Sequence, residues 1–172
     1  DRDYSVIWRE SRNDFASPGA ESTAEPRPDD DFAGTTGPEV VLDVNTLDAG
    51  TGYLALGLSI VSPDEHLLAY SIDTSGNEVF TLRFRDLRTG VDLPDVVEGV
   101  GYTGAWTSDS STFLYTVPDA SWRHERIRAH RLGEASTSDA DVLVEPHRRY
   151  EVSLRRCRSG QAIGLLSGCR AT

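Results

Sequence analysis

The chain holds serines, histidines and aspartates, so the first question is whether any serine is set up to be a nucleophile. None lies in a G-x-S-x-G elbow, the strained strand-to-helix turn that lifts a serine above a hydrolase sheet. A Ser-His-Asp triad is defined by geometry, and the short antiparallel runs described below offer no such constellation, so no catalytic residue is assigned. Gly99-Val100-Gly101-Tyr102-Thr103-Gly104 matches the dinucleotide pattern G-x-G-x-x-G. That pattern works only when a helix opens after it and sets the pyrophosphate on its N-terminus. Here Ala105-Trp106-Thr107-Ser108-Asp109-Ser110 follows, which reads as strand and turn, so the glycines are a linker and no cofactor is expected.

His66, His124, His130 and His147 are the four histidines. His124 and His130 can share one face of a strand, but no third or fourth ligand stands beside them at metal-site spacing, so no metal is expected. They read as surface or outer-strand residues. The run Pro26-Arg27-Pro28-Asp29-Asp30-Asp31 lacks the alternating ligands and sharp glycine turn of a calcium loop, and reads as a solvated loop. Cys157 and Cys169 have no C-x-x-C spacing and read as buried free thiols. Two cysteines are no disulfide framework for a chain of 172 residues, which fits a reducing compartment.

The elements that must position these residues are short strands. Gly57 to Asp64, Leu67 to Asp73 and Glu78 to Arg85 are rich in β-branched and aromatic residues. Pro63-Asp64, Ser75-Gly76-Asn77 and Thr89-Gly90 punctuate them, so they read as hairpin strands joined by tight turns. The unit then repeats: Asp64, Tyr70, Leu82, Arg83 and Leu87 recur 45 residues later as Asp109, Tyr115, Ile127, Arg128 and Leu132. A period of about 40 to 50 residues with several strands per unit is the signature of a β-propeller blade. Such a sheet cannot bury both faces alone and must stack on its neighbours.

The fold class expected is therefore all-β, a partial propeller of about two complete four-stranded antiparallel blades plus parts of the flanking blades. Residues 1–50 read as the remainder of a first blade, with strands at Tyr4 to Arg9 and Glu39 to Asn45 and an acidic Pro/Asp-rich loop over 13–38. Residues 51–98 form one blade, with strands near 57–62, 67–73, 79–86 and 95–98. Residues 99–146 form the next, with strands near 103–107, 112–117, 126–132 and 141–145. Residues 147–172 are the truncated start of another, with strands near 150–155 and 162–167. Thr46 to Tyr53 reads as a short helical or irregular connection. Natural propellers close rings of about four to eight blades, and the chain begins Asp1-Arg2-Asp3-Tyr4 without Met. It is expected to be a fragment of a longer polypeptide.

The net charge is −11, which disfavours nucleic acid and anionic membranes as partners, because phosphate binding wants a basic stripe. The charge is unevenly placed, with 16 acids against 4 arginines in residues 1–82 and 12 acids against 13 arginines in residues 83–172. The acidic half reads as a solvated surface. All 17 basic side chains are arginine, which reads as genome base composition. No apolar run approaches the roughly 18 residues of a membrane-spanning helix.

A family resemblance is carried by Leu42-Asp43-Val44-Asn45, Tyr53, Leu56-Gly57, Val61-Ser62-Pro63-Asp64, Leu67 to Ser71, Asp73 to Gly76 and Glu78 to Leu87. It continues through Leu93 to Val96, Ala105-Trp106, Phe113 to Thr116 and Arg131-Leu132-Gly133. Collinear over more than a hundred residues, these segments resemble the prolyl oligopeptidase family of serine peptidases, most closely its oligopeptidase B branch. The sequence departs from that pattern at Asn13 to Pro38 and around Ser121 to His130. The resemblance implies a seven-bladed propeller that caps a C-terminal α/β-hydrolase domain of the same polypeptide, which holds the Ser, Asp and His. It implies a cytoplasmic enzyme whose propeller admits short peptides, hydrolysed after basic residues, and excludes folded proteins. This chain alone, without that domain, is expected to be inactive. The alternative of a different class is a non-enzymatic propeller scaffold that binds proteins, since the fold hosts many functions.

Overall fold

The computed structural model describes residues 4–9, 39–47, 52–157, 160 and 162–169. The loop expected over 13–38, with its acid run, lies outside them, as do residues 48–51 of the expected connection.

Two units compose the chain, Asp1–Leu47 and Asp48–Thr172. In the first, β1 (Val6–Arg9) pairs antiparallel with β2 (Glu39–Asp43), with a bulge at Ile7/Trp8. Arg9 meets Glu39 at 2.7 Å across the open end of the ladder. At the other end Asn45 clasps Tyr4, accepting from its amide and donating to its carbonyl, both at 2.9 Å. A 3-10 turn over Val44–Leu47 follows.

The second unit contains two four-stranded antiparallel sheets, each a meander in chain order. The first runs β3 (Ala55–Val61), β4 (Leu67–Asp73), β5 (Phe80–Asp86) and β6 (Val91–Val100). The second runs β7 (Gly104–Trp106), β8 (Thr112–Pro118), β9 (His124–Arg131) and β10 (Ala140–Val144). A hairpin of β11 (Tyr150–Arg156) and β12 (Ile163–Cys169) follows. Strand β5 shows why these residues form a sheet: Phe80, Leu82 and Phe84 are buried while Thr81, Arg83 and Arg85 between them are less so, the two-residue period of a pleat. The central strand β4 is buried from Leu68 through Ser71, because both of its faces are covered. Strand β6 is longer than its sequence suggested. Its Pro94 is tolerated because it lies on an edge strand, beside the bulge between Arg83 and Arg85 of β5.

The 45-residue repeat is a repeat of structure. Ser62 and Thr107 end the first strand of each sheet, and each gives its hydroxyl proton to the aspartate two residues on, Asp64 at 2.5 Å and Asp109 at 2.6 Å. Each hydroxyl oxygen then accepts the amide that opens the next strand, from Leu67 at 2.9 Å and Thr112 at 3.1 Å. Glu65 and Ser110, equivalent in the repeat, take the same left-handed conformation, with φ of 62° and 58°.

The two sheets share one core. Leu58, Ala69, Leu82 and Phe84 of the first pack with Trp106, Phe113 and Tyr115 of the second. Phe84 is the hinge of that contact, edge-on to Trp106 at 5.5 Å and to Phe113 at 5.8 Å. The Trp106 indole donates to the Ile60 carbonyl at 2.9 Å, so the largest buried side chain also has its polar atom satisfied. On the far side of the second sheet, Ile127 packs against Val152 and Leu154 of β11. Sheets stacked in series by their faces, each a meander of four strands, make this chain a partial β-propeller.

Candidate functional site

Two polar constellations stand out, one closed and one open. The closed one starts from His130 on β9, which is fully buried and stacked on Phe84 at 5.4 Å with 19° between the rings. Its Nδ1 lies 2.8 Å from Asp139 Oδ1, and its Nε2 lies 3.2 Å from Asp95 Oδ1. Tyr115 donates its hydroxyl to Asp139 Oδ2 at 2.8 Å, Arg128 donates to the Asp139 carbonyl, and the Gly133 amide donates to Asp95. Asp95 belongs to β6 of the preceding sheet, so the imidazole ties one blade to the next. Burial first, and then the hydrogen bond to Asp139, push the Tyr115 phenol well above its ordinary value.

The preceding blade carries the same device in simpler form. Tyr70 donates to Asp92 at 2.7 Å, and Arg85 pairs with Asp92 at 2.6 Å while covering the Tyr70 ring. Tyr70 is equivalent to Tyr115 in the repeat, and Arg85 to His130. With His130, Asp95 and Asp139 buried and hydrogen-bonded to one another, the cluster is built to hold blades together.

The histidine reading therefore needs correction. His130 is a core residue and not a surface one, because carboxylates from two blades, Asp95 on β6 and Asp139 just before β10, converge on its two ring nitrogens. The missed signal is the repeat itself: a histidine at the position of an ion-pairing arginine announces an acid nearby. His124 does lie on the same strand, against the Tyr102 ring at 5.6 Å. Cys157 and Cys169 need the same kind of correction, being exposed rather than buried, one just after β11 and the other at the end of β12. The run Gly99 to Gly104 leads into strand β7, as a linker should. The Gly101 Cα faces His124 and Thr116 too closely for any side chain, with an added Cβ falling 2.6 Å and 2.7 Å from their nearest atoms.

The open constellation is a cleft of about 420 Å³ between the β8–β9 loop and the β10–β11 loop, lined by Asp119, Ser121, Arg123, Glu125, Arg148, Arg149 and Tyr150. Arg123 is its floor and is only 8% exposed. The guanidinium engages all three of its nitrogens: Nε on Asp119 at 2.9 Å, Nη2 on Glu125 at 3.1 Å, and Nη1 on the carbonyls of Glu145, His147 and Tyr150 at 3.0 to 3.3 Å. Burial acts to raise the Asp119 carboxyl, but the amides of Ser121 and Arg123 and the guanidinium outweigh it and hold it below its ordinary value. The result is an ionised, neutralised wall under a loop pinned by its own carbonyls.

Four-stranded meander sheets stacked in series, with described polar clusters that brace them, define the class as a β-propeller. The family follows from comparison. The family model described as "Prolyl oligopeptidase, N-terminal beta-propeller domain" matches residues 1–170. The chain belongs to that family. It is 36% identical over 163 residues to "Dipeptidyl aminopeptidase BI" of Pseudoxanthomonas mexicana, covering 94% of this chain and 22% of the relative. It is 30% identical over 136 residues to "Protease 2" of Moraxella lacunata, covering 78% of this chain and 20% of that protein. Among solved structures it resembles oligopeptidase B from Trypanosoma brucei with covalently bound antipain, with a TM-score of 0.73, 26% identity, 96% of this chain and 21% of that one. The chain thus spans about a fifth of the length of these relatives.

Proposed function

We propose that this chain is the substrate-gating propeller of a cytoplasmic serine oligopeptidase of the oligopeptidase B type, which hydrolyses short peptides after basic residues. The blades are those delimited above, 1–50, 51–98, 99–146 and 147–172, and belong to a seven-bladed ring. The nucleophile, its base and the orienting acid reside on an α/β-hydrolase domain of the same polypeptide, and this chain contributes none of them. Short peptides are the substrates, with no nucleic acid or membrane partner. The observation that carries the reading is the series of stacked four-stranded sheets combined with the family match over residues 1–170.

Physically, a propeller of this kind selects by size: a short peptide passes where a folded chain cannot. A net charge of −11 also draws basic peptides toward it. The test has two arms. The 172-residue chain, incubated with an arginyl peptide amide, should release no product above background. The full gene product should cleave that peptide, spare a folded protein containing the same bond, and lose its activity to a serine-directed inhibitor. Turnover by the chain alone, or a gene that closes the ring and then stops, overturns the proposal; the second result makes the protein a scaffold.

A further inference from the structure

The cleft between the β8–β9 and β10–β11 loops carries a feature that gating by size does not use. Its two acids, Asp119 and Glu125, are already engaged by Arg123. Arg148 and Arg149 at its mouth are exposed and enter no ion pair or hydrogen bond among the described residues. Arg83 and Arg155 likewise enter none, whereas Arg85, Arg88, Arg126 and Arg128 each meet a carboxylate; Arg148 and Arg149 differ from the first two in being adjacent and lining a cleft.

The two guanidinium groups are not carried on a slack loop. Arg123 grips the carbonyls on either side of them, at His147 and Tyr150, and the Tyr150 amide closes the turn by donating to the His147 carbonyl at 3.0 Å. A turn held in this way loses little backbone freedom on binding, which is what pre-organisation means. The charge is informative too. With the two acids counted against three arginines, the cleft carries one net positive charge, which matches a monoanionic carboxylate better than a phosphate dianion. A guanidinium fork also suits a carboxylate geometrically. The volume of about 420 Å³ lies within the range of small-ligand sites.

The geometry points to a carboxylate-binding subsite for a peptide, with Arg148 and Arg149 as the binding groups and the Ser121 and Tyr150 hydroxyls beside them. The choice of a peptide rests on the peptidase-gate reading; the carboxylate chemistry does not. The carboxylate comes from the peptide's C-terminus or from an acidic side chain. Since substrates cleaved after a basic residue carry their negative charge elsewhere, the subsite orients the peptide by the end away from the scissile bond.

Binding is measured on the 172-residue chain by NMR shifts of the Arg148, Arg149 and Ser121 N–H groups, so the outcome does not depend on turnover. The probes are N-acetyl-Gly-Ala-Gly with a free C-terminus, the same peptide as its C-terminal amide, N-acetyl-Gly-Glu-Gly amide, and inorganic phosphate. At least one carboxylate peptide should bind saturably, and the one that binds tighter identifies the source of the carboxylate. The neutral amide should fail to shift these signals. The double substitution Arg148→Gln/Arg149→Gln should weaken binding by about tenfold or more, as expected when charge-assisted hydrogen bonds are lost, while the rest of the spectrum stays unchanged. Equal binding of the amide, unchanged binding by the double variant, or tighter binding of phosphate than of either carboxylate peptide overturns the proposal. Should the chain bind the carboxylate while the full gene product hydrolyses no peptide, the gate reading fails and the subsite stands.

Discussion

Tyr70 and Tyr115 stand 45 residues apart, and each gives its phenolic proton to an aspartate near the start of its blade's last strand, Asp92 or Asp139. Burial raises both phenols above the ordinary value of 10.0, and the hydrogen-bonded carboxylate raises them further. The phenolic proton is thus held more tightly in the folded chain. The associated stability is present in full below the unfolded phenol's value and is lost as pH rises through the higher folded-state value. Thermal melts taken from pH 8 upward should therefore show the melting temperature falling above about pH 10, with a shallower fall in the double variant Tyr70→Phe/Tyr115→Phe. An unchanged slope would refute this. His130 has a sharper role. Replacing it with Ala leaves Asp95 and Asp139 buried without their shared partner. Leaving a buried polar group unsatisfied costs about 1–3 kcal/mol, a loss that urea unfolding at pH 7 should read directly. The sequence reading put His130 at the surface, although Tyr115, Arg128 and His130 repeat Tyr70, Arg83 and Arg85 and so carry a trace of the partnership. The identity of the second acid was not legible: Asp95 lies in another sheet, 35 residues away.

At the scale of elements, the strand and turn pattern could be read because its causes are local. Alternating side chains set the faces of β5, and a hydroxyl two residues before an aspartate closes the first turn of each blade. Lengths were less legible. Strand β6 extends over ten residues because pairing with β5 resumes on both sides of a bulge, a tertiary event that Pro94 hides in the sequence. The opening of β7 makes a close approach of the same non-local kind. A Cβ on Gly104 would fall 2.5 Å and 2.6 Å from the Phe113 ring and 3.0 Å from the Leu114 carbonyl. Phe113 is fully buried and cannot swing aside. Gly104→Ala should therefore destabilise by about 1–3 kcal/mol, the usual cost of overpacking a core, as read by urea denaturation; a neutral result would show that β7 can shift outward.

At the scale of the whole molecule, the blades are held by shared burial. Leu82 of the first sheet is fully buried in a cluster that includes Trp106, Phe113 and Tyr115 of the second. Truncating Leu82 to Ala should cost about 2–5 kcal/mol, and intrinsic fluorescence and circular dichroism should still report one coincident transition, because both sheets lose the same contact. Two separated transitions would mean that the sheets fold independently. The sequence by itself determined the class of architecture, since a 45-residue period of strands and turns writes out local geometry twice, and collinear motifs carried the family. Only the tertiary structure decided which polar groups meet. Arg123 grips carbonyls more than twenty residues downstream, and His130 bridges two blades, because stacking brings together side chains whose separation along the chain follows no local rule.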